Sequence, residues 1–200
     1  MSDVKLGMLD GSVLHVFGDD FAGLSLASLK LGLESHPRWS GQARHVMGRP
    51  WSVMHHSLAV RYVLGLMGER RIVQVAGATH DLEEGVLGDV PTPWKRCLRV
   101  AMPDGGIVDY EAFSLDIRRR AIAALGLPSF VFDLTESGPV KLADAIVLHA
   151  EARVICHDDM SRWLGPLVGG AQYLDEAVAY VRRGGDSEDF GAALHLGDDA

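Results

Sequence analysis

Hydrophobic and polar positions recur along this chain with changing period, and the changes mark its elements. Between Met8 and Phe17 apolar residues flank Asp10-Gly11, a turn pair that predicts a short hairpin. Leucines at 24, 26, 29, 31 and 33, with Ser25 in front as a cap, predict a first helix that Pro37 closes. Ser52 suits the N-cap of a second helix reaching about Met67, whose stripe runs through Val53, His56, Val60, Val63 and Met67. Arg71 to Leu87 predicts a third helix, stopped by Gly88 and the prolines at 91 and 93.

Lys95 to Val100 suggests a short helix, and Pro103 to Gly106 a loop. Tyr110 to Leu125 is amphipathic, with Phe113, Ile117, Ala121 and Ala124 inward and Arg118 to Arg120 largely outward. Pro139, at home in a first helical turn, opens the longest helix, which runs to about Cys156 and sets Val140, Asp144, Leu148 and Glu151 on one face. Ala171 to Arg183 is the last helix. Residues 184–200 hold five acidic residues and no lysine or arginine, the pattern of a loosely ordered tail. The reading is an all-α helical bundle with a short N-terminal hairpin, one domain over residues 1–183 and an acidic tail over 184–200.

Composition narrows the partners. Two hundred residues, 48% of them apolar, are enough for one domain with a sizeable core. A net charge of −8 argues against a nucleic-acid duplex, whose binders show a basic face. No apolar run approaches the roughly 20 residues of a membrane span, and the N-terminus lacks a basic region before an apolar one, so a soluble, cytoplasmic protein is expected. Cys97 and Cys156 have no CxxC spacing and predict neither a disulfide framework nor a cysteine-bound zinc. Self-association is left open.

The chemistry gathers at His80 to Lys95, HDLEEGVLGDVPTPWK, directly after the apolar run Ile72 to Ala78. Charge arriving in a buried place needs a partner, and a metal ion is the simplest one. His56 on the second helix, His80 and Asp81 after the third, and Asp144 on the longest all fall where apolar surroundings are predicted. Two imidazoles and two carboxylates suit a divalent Zn, Mn, Co or Fe ion better than Ca or Mg. On a continuous helix Glu84 would lie one turn beyond His80 on the same face, with Asp89 at the lip. The loop Pro37 to His45 adds Arg38 and Trp39, which either clasp phosphate and cover a base or sugar, or close the core edge beside a solvated arginine.

These residues, in this order, resemble the HD-domain metal-dependent phosphohydrolases. The match runs through Arg38-Trp39-Ser40-Gly41-Gln42, Trp51-Ser52-Val53 to His56-Ser57-Leu58, His80-Asp81 to Glu84, Gly88-Asp89-Val90-Pro91, and Val140-Lys141 to Asp144 to Glu151. It is similar in kind to the compact bacterial and phage branch, which includes 5′-deoxynucleotidases and dATP triphosphohydrolases. The resemblance implies an all-α fold with a central metal held by His56, His80, Asp81 and Asp144. It implies that Glu84 orients or deprotonates the attacking water, that Asp89 contacts the sugar or assists that water, and that Arg38 and Trp39 touch phosphate and nucleoside. Lys95 or Lys141 would neutralise further phosphates, and Pro93 would form part of the base-pocket wall.

The implied activity is hydrolysis of the 5′ phosphoester of a deoxynucleotide, a dNMP or a dNTP, notably dATP, with a purine suggested by the tryptophan wall. The substrate is a small molecule. Two departures stand out: His55 where the family usually has Glu or Gln, and Leu82-Glu83 in place of a smaller pair. Arg38, Arg44 and Arg49 could serve one phosphate or three. Gly85 after Glu84 counts against an alarmone hydrolase, a non-catalytic nucleotide-sensing domain is the other alternative, and His157-Asp158 reads as a surface dipeptide.

Overall fold

Apolar stripes on successive helices meet at one core, as the periodicity requires. A computed structural model describes residues 4–18, 21, 24–43, 46–156, 164–185 and 190–196, and these are mostly helical with a few short strands. Strands β1 (Lys5–Gly7) and β2 (Val13–His15) pair antiparallel, so the expected hairpin exists with its first strand ahead of Met8. Asp10 in its turn accepts hydrogen bonds from Ser12, Ser25 and Ser28, which fastens the hairpin to the start of α1 (Leu26–Ser35). Ser25 caps that helix by accepting from the Ser28 amide at 3.0 Å.

Helix α2 (Val53–Leu66) begins at the cap Ser52, and His55 completes a capping box by accepting from the Ser52 amide at 3.2 Å. That accounts locally for a histidine where Glu or Gln commonly stands, since its ring nitrogen serves the same donor. The third helix is shorter than expected: α3 (Arg71–Thr79) stops before His80, a turn carries residues 80–83, and α4 (Glu84–Leu87) restarts and ends at Gly88, whose φ is 83°. His80 and Glu84 therefore do not share one helix, and it is the turn that brings them to one place.

The short helix expected at Lys95 to Val100 does not form: α5 (Thr92–Lys95) ends where it was to begin, and the chain beyond turns and continues as strand. Strand β3 (Arg99–Ala101) pairs antiparallel with β4 (Ile107–Asp109), and the expected loop 103–106 is their turn. Three-residue strands with one half-buried position each give too little alternation to betray themselves. Next come α6 (Tyr110–Ala124), α7 (Phe130–Thr135), which the sequence reading missed, and α8 (Gly138–Val154). On α6 the inward set needs two changes: Ala124 is exposed, and Arg118 is buried beside Glu83. The last long helix is Leu174–Arg182, preceded by a 3-10 turn at Ala171–Tyr173. Within the acidic tail Phe190–Ala193 is helical and Phe190 is fully buried, so this part of the tail belongs to the core. Arg44, His45 and His157-Asp158 lie outside the described residues.

Helix α2 sits centrally, against α1, α3, α8 and the helix Leu174–Arg182. Helix α1 crosses α4 where Gly32 meets Gly85, so closely that a methyl on Gly32 would overlap the Gly85 carbonyl. Among the described residues no helix is long and apolar enough to cross a membrane.

Candidate metal centre

Three polypeptide segments bring nitrogen and oxygen donors to one point at the mouth of the bundle. His56 lies one turn into α2 and is fully buried. His80 caps the C-terminus of α3, Asp81 follows in the turn, and Asp144 projects from α8. The donor atoms of His56, His80 and Asp81 all lie within 4.8 Å of one another. Asp81 Oδ2 is 3.2 Å from His80 Nε2 and 3.7 Å from His56 Nε2. Asp144 stands beside this trio, its Oδ1 3.1 Å from His56 Nε2 and 3.9 Å from His80 Nε2.

The opposite ring nitrogens are committed elsewhere. His56 Nδ1 is 2.7 Å from Glu151 Oε1, and His80 Nδ1 is 2.8 Å from the Gly77 carbonyl. Both Nδ1 atoms thus carry protons for these acceptors, which turns the Nε2 lone pairs toward the shared space. Both Nε2 atoms are buried and without a hydrogen bond. A buried polar atom left unsatisfied in this way is costly unless something else occupies it. The donor set fits a divalent transition ion: two imidazoles whose Nδ1 atoms are engaged elsewhere, with carboxylate oxygens 3.1 to 3.9 Å from their Nε2 atoms.

The charged groups at this point act strongly on one another. Burial opposes charge on Asp81, but the imidazoles of His80 and His56 and the Arg38 guanidinium hold its carboxyl well below the usual range. Burial and Arg38 also work against a charged His56, yet Glu151 and Asp144 outweigh them and raise its pKa to about 10, so an ion at Nε2 would have to displace a proton. Glu84 behaves oppositely: burial and the neighbouring Asp81 push its carboxyl up to about 8, with Lys95 and Arg38 pulling the other way. Lys95 Nζ donates to Glu84 Oε1 at 2.8 Å, while Glu84 Oε2 is buried and accepts no hydrogen bond.

Beyond the donors opens a cleft of about 340 Å³, within the range of small-molecule sites. Arg38, Trp39, Asp81, Glu84, Asp89, Lys95 and Asp144 all line it. Arg38 is brought there by two backbone links, its own amide to the Trp51 carbonyl at 2.8 Å and the Val53 amide to the His36 carbonyl at 3.0 Å, which strap its loop onto the start of α2. Its guanidinium Nη1 lies 3.8 Å from Asp81 and Glu84 and 3.9 Å from Asp89, with Nε 3.7 Å from Glu151. Four carboxylates thus surround one cation at distances longer than a hydrogen bond.

Two expected contacts are not in the cleft. Lys141 is exposed and paired with Glu136 at 2.9 Å, which holds its ammonium away from the cleft. Pro93 is exposed on α5; Pro91, at the preceding turn, lines the cleft instead. Arg49 is exposed and directed at the Gly184 carbonyl, 3.4 Å away.

The residue whose role sequence reasoning missed is Glu151. Fully buried on α8, it accepts from Trp51 Nε1 at 2.7 Å and from Trp39 Nε1 at 3.0 Å, as well as facing His56. Its helical position two turns beyond Asp144 was visible; its three partners, far away in sequence, were not. Set against models of known protein families and against curated proteins, the chain matches none.

Proposed function

We propose that this protein is a metal-dependent phosphohydrolase of the HD-domain kind, acting on the 5′ phosphoester of a deoxynucleotide. The observation that carries the reading is the convergence of the buried Nε2 atoms of His56 and His80 with the carboxylates of Asp81 and Asp144, opening into a cleft that holds Arg38, Glu84 and Lys95. His56, His80, Asp81 and Asp144 would hold the ion, with Zn, Mn, Co or Fe all compatible. When bound, a divalent cation supplies Lewis acidity toward a phosphoryl oxygen and makes water a stronger acid.

The remaining work falls to the chain's own groups. Arg38 offers its guanidinium to the phosphate, which replaces the distant carboxylates with close, charge-assisted hydrogen bonds. Glu84, its carboxylate oriented by Lys95, takes a proton from the attacking water; a base with a pKa near the working pH does this best. The water oxygen forms the new bond to phosphorus, the bond from phosphorus to the 5′ oxygen breaks, and the proton passes from Glu84 to that oxygen. Trp39 covers the sugar or base, and Asp89 accepts from a sugar hydroxyl. Among the described residues the cations lining the cleft are Arg38 and Lys95, which favours a short phosphate chain.

The test is turnover of each dNMP and dNTP by purified protein with Mn, Co or Zn, with phosphate and triphosphate resolved. The proposal expects one class to be hydrolysed and Glu84→Gln to keep the metal while losing roughly 10²-fold or more in rate. Nucleotide binding without hydrolysis would replace it with the sensing reading, and neither would sink both.

A further inference from the structure

The geometry points to Glu151 as a positioning residue that couples ion binding at His56 to the setting of the Arg38-Trp39 wall, an inference that rests on the metal reading above. One carboxylate serves two halves of the site. Its Oε1 holds His56 Nδ1 and the Trp51 indole, each at 2.7 Å; its Oε2 holds the Trp39 indole at 3.0 Å and faces Arg38 Nε at 3.7 Å. The first oxygen therefore fixes the imidazole that offers Nε2 to the ion. The second fixes the wall that would cover a substrate.

Two features make this more than ordinary packing. Glu151 is fully buried, so water cannot replace a lost partner. The wall is also held in a conformation it would not choose freely, because Trp39 and Ser40 have φ of 58° and 53°, in the left-handed region that side chains other than glycine rarely adopt. Such a backbone persists only where its surroundings enforce it, and the Trp39 indole anchored on Glu151 is an enforcing contact. A rigid carboxylate has one orientation for both oxygens, so tightening the imidazole side tightens the wall. By linkage, loosening the wall must loosen the ion to the same degree.

The test uses Co²⁺ alone, titrated into chelator-stripped full-length protein and followed by calorimetry and by the cobalt absorption band, with no nucleotide present. Glu151→Gln keeps the shape but offers one acceptor oxygen where three N–H donors converge; it should weaken Co²⁺ binding about 10- to 100-fold, as loss of a partner to a ligating histidine does. Trp39→Phe leaves every donor of the ion in place and removes the hydrogen bond to Oε2; coupling predicts weakening of about fivefold. If Glu151→Gln fails to fold, Trp39→Phe decides alone. Unchanged Co²⁺ affinity in Trp39→Phe refutes the coupling, even if Glu151→Gln weakens binding. Absence of Co²⁺ binding by the wild-type protein would instead bring down the metal reading itself.

Discussion

At the scale of single residues, side-chain chemistry forecast the grouping of His56, His80 and Asp81, while two of the residues expected beside it lie elsewhere. His56, His80 and Asp81 were legible because each is a polar group placed in an apolar run, a costly choice that demands a partner. Lys141 and Pro93 were expected from order along the chain, and the structure turns both outward, since position in a motif does not fix the direction of a flexible or surface side chain. Of the residues lining the cleft, Arg38 tests the proposed function most simply. Arg38→Ala should raise KM for a nucleotide at least about tenfold, the loss of one charge-assisted pair, in a steady-state assay over substrate concentration. A second prediction concerns the thiols. Burial, aided by Glu151, raises the Cys156 thiol to about 11, so it stays protonated and unreactive below that pH. Alkylation at pH 8 followed by mass spectrometry should label the exposed Cys97 first, with Cys156 labelling growing only as the pH climbs toward 11.

At the scale of elements, helices with strong caps or stripes were readable, and breaks within an apolar run were not. Residues 71–87 read as one helix because composition alone carries no sign that the chain turns at His80. What accompanies the break is tertiary: the restarted α4 crosses α1 at Gly32 and Gly85, a contact between segments far apart in sequence. Gly32→Ala should therefore lower the melting temperature and, by shifting α4 and Glu84 with it, lower turnover more than a surface alanine would; circular dichroism and rate measured together check this. The same turn is pinned from the other side. Arg118 donates to both oxygens of Glu83 at 2.7 and 2.6 Å, from a helix face expected to be outward. Arg118→Met strands a buried carboxylate and should cost about 3 to 5 kcal/mol in urea denaturation. A change under about 1 kcal/mol would show that Glu83 finds another partner or simply protonates.

At the scale of the whole molecule, the mostly helical architecture followed from period and composition, while the β3-β4 hairpin and the burial of Phe190 in the acidic tail did not. Short strands and a lone aromatic among acidic residues are settled by contacts far away in sequence, which one chain read alone does not display. The His56-His80-Asp81 cluster and Asp144 lie where α2, α8 and the α3-α4 turn meet, so an ion there would tie three parts of the bundle together. An ion at about 100 times its Kd adds roughly 2.7 kcal/mol, and for a chain of this size that is on the order of 5 to 10 °C in Tm. Thermal unfolding with and without chelator reads this directly.

The most direct check of the central claim is the metal stoichiometry of chelator-stripped protein reloaded with Zn, Mn or Co, compared between the wild type and His80→Ala by elemental analysis. The account predicts one ion per wild-type chain and well under one in the variant, with both proteins folded. No ion in the wild type, or equal loading in the variant, would contradict it.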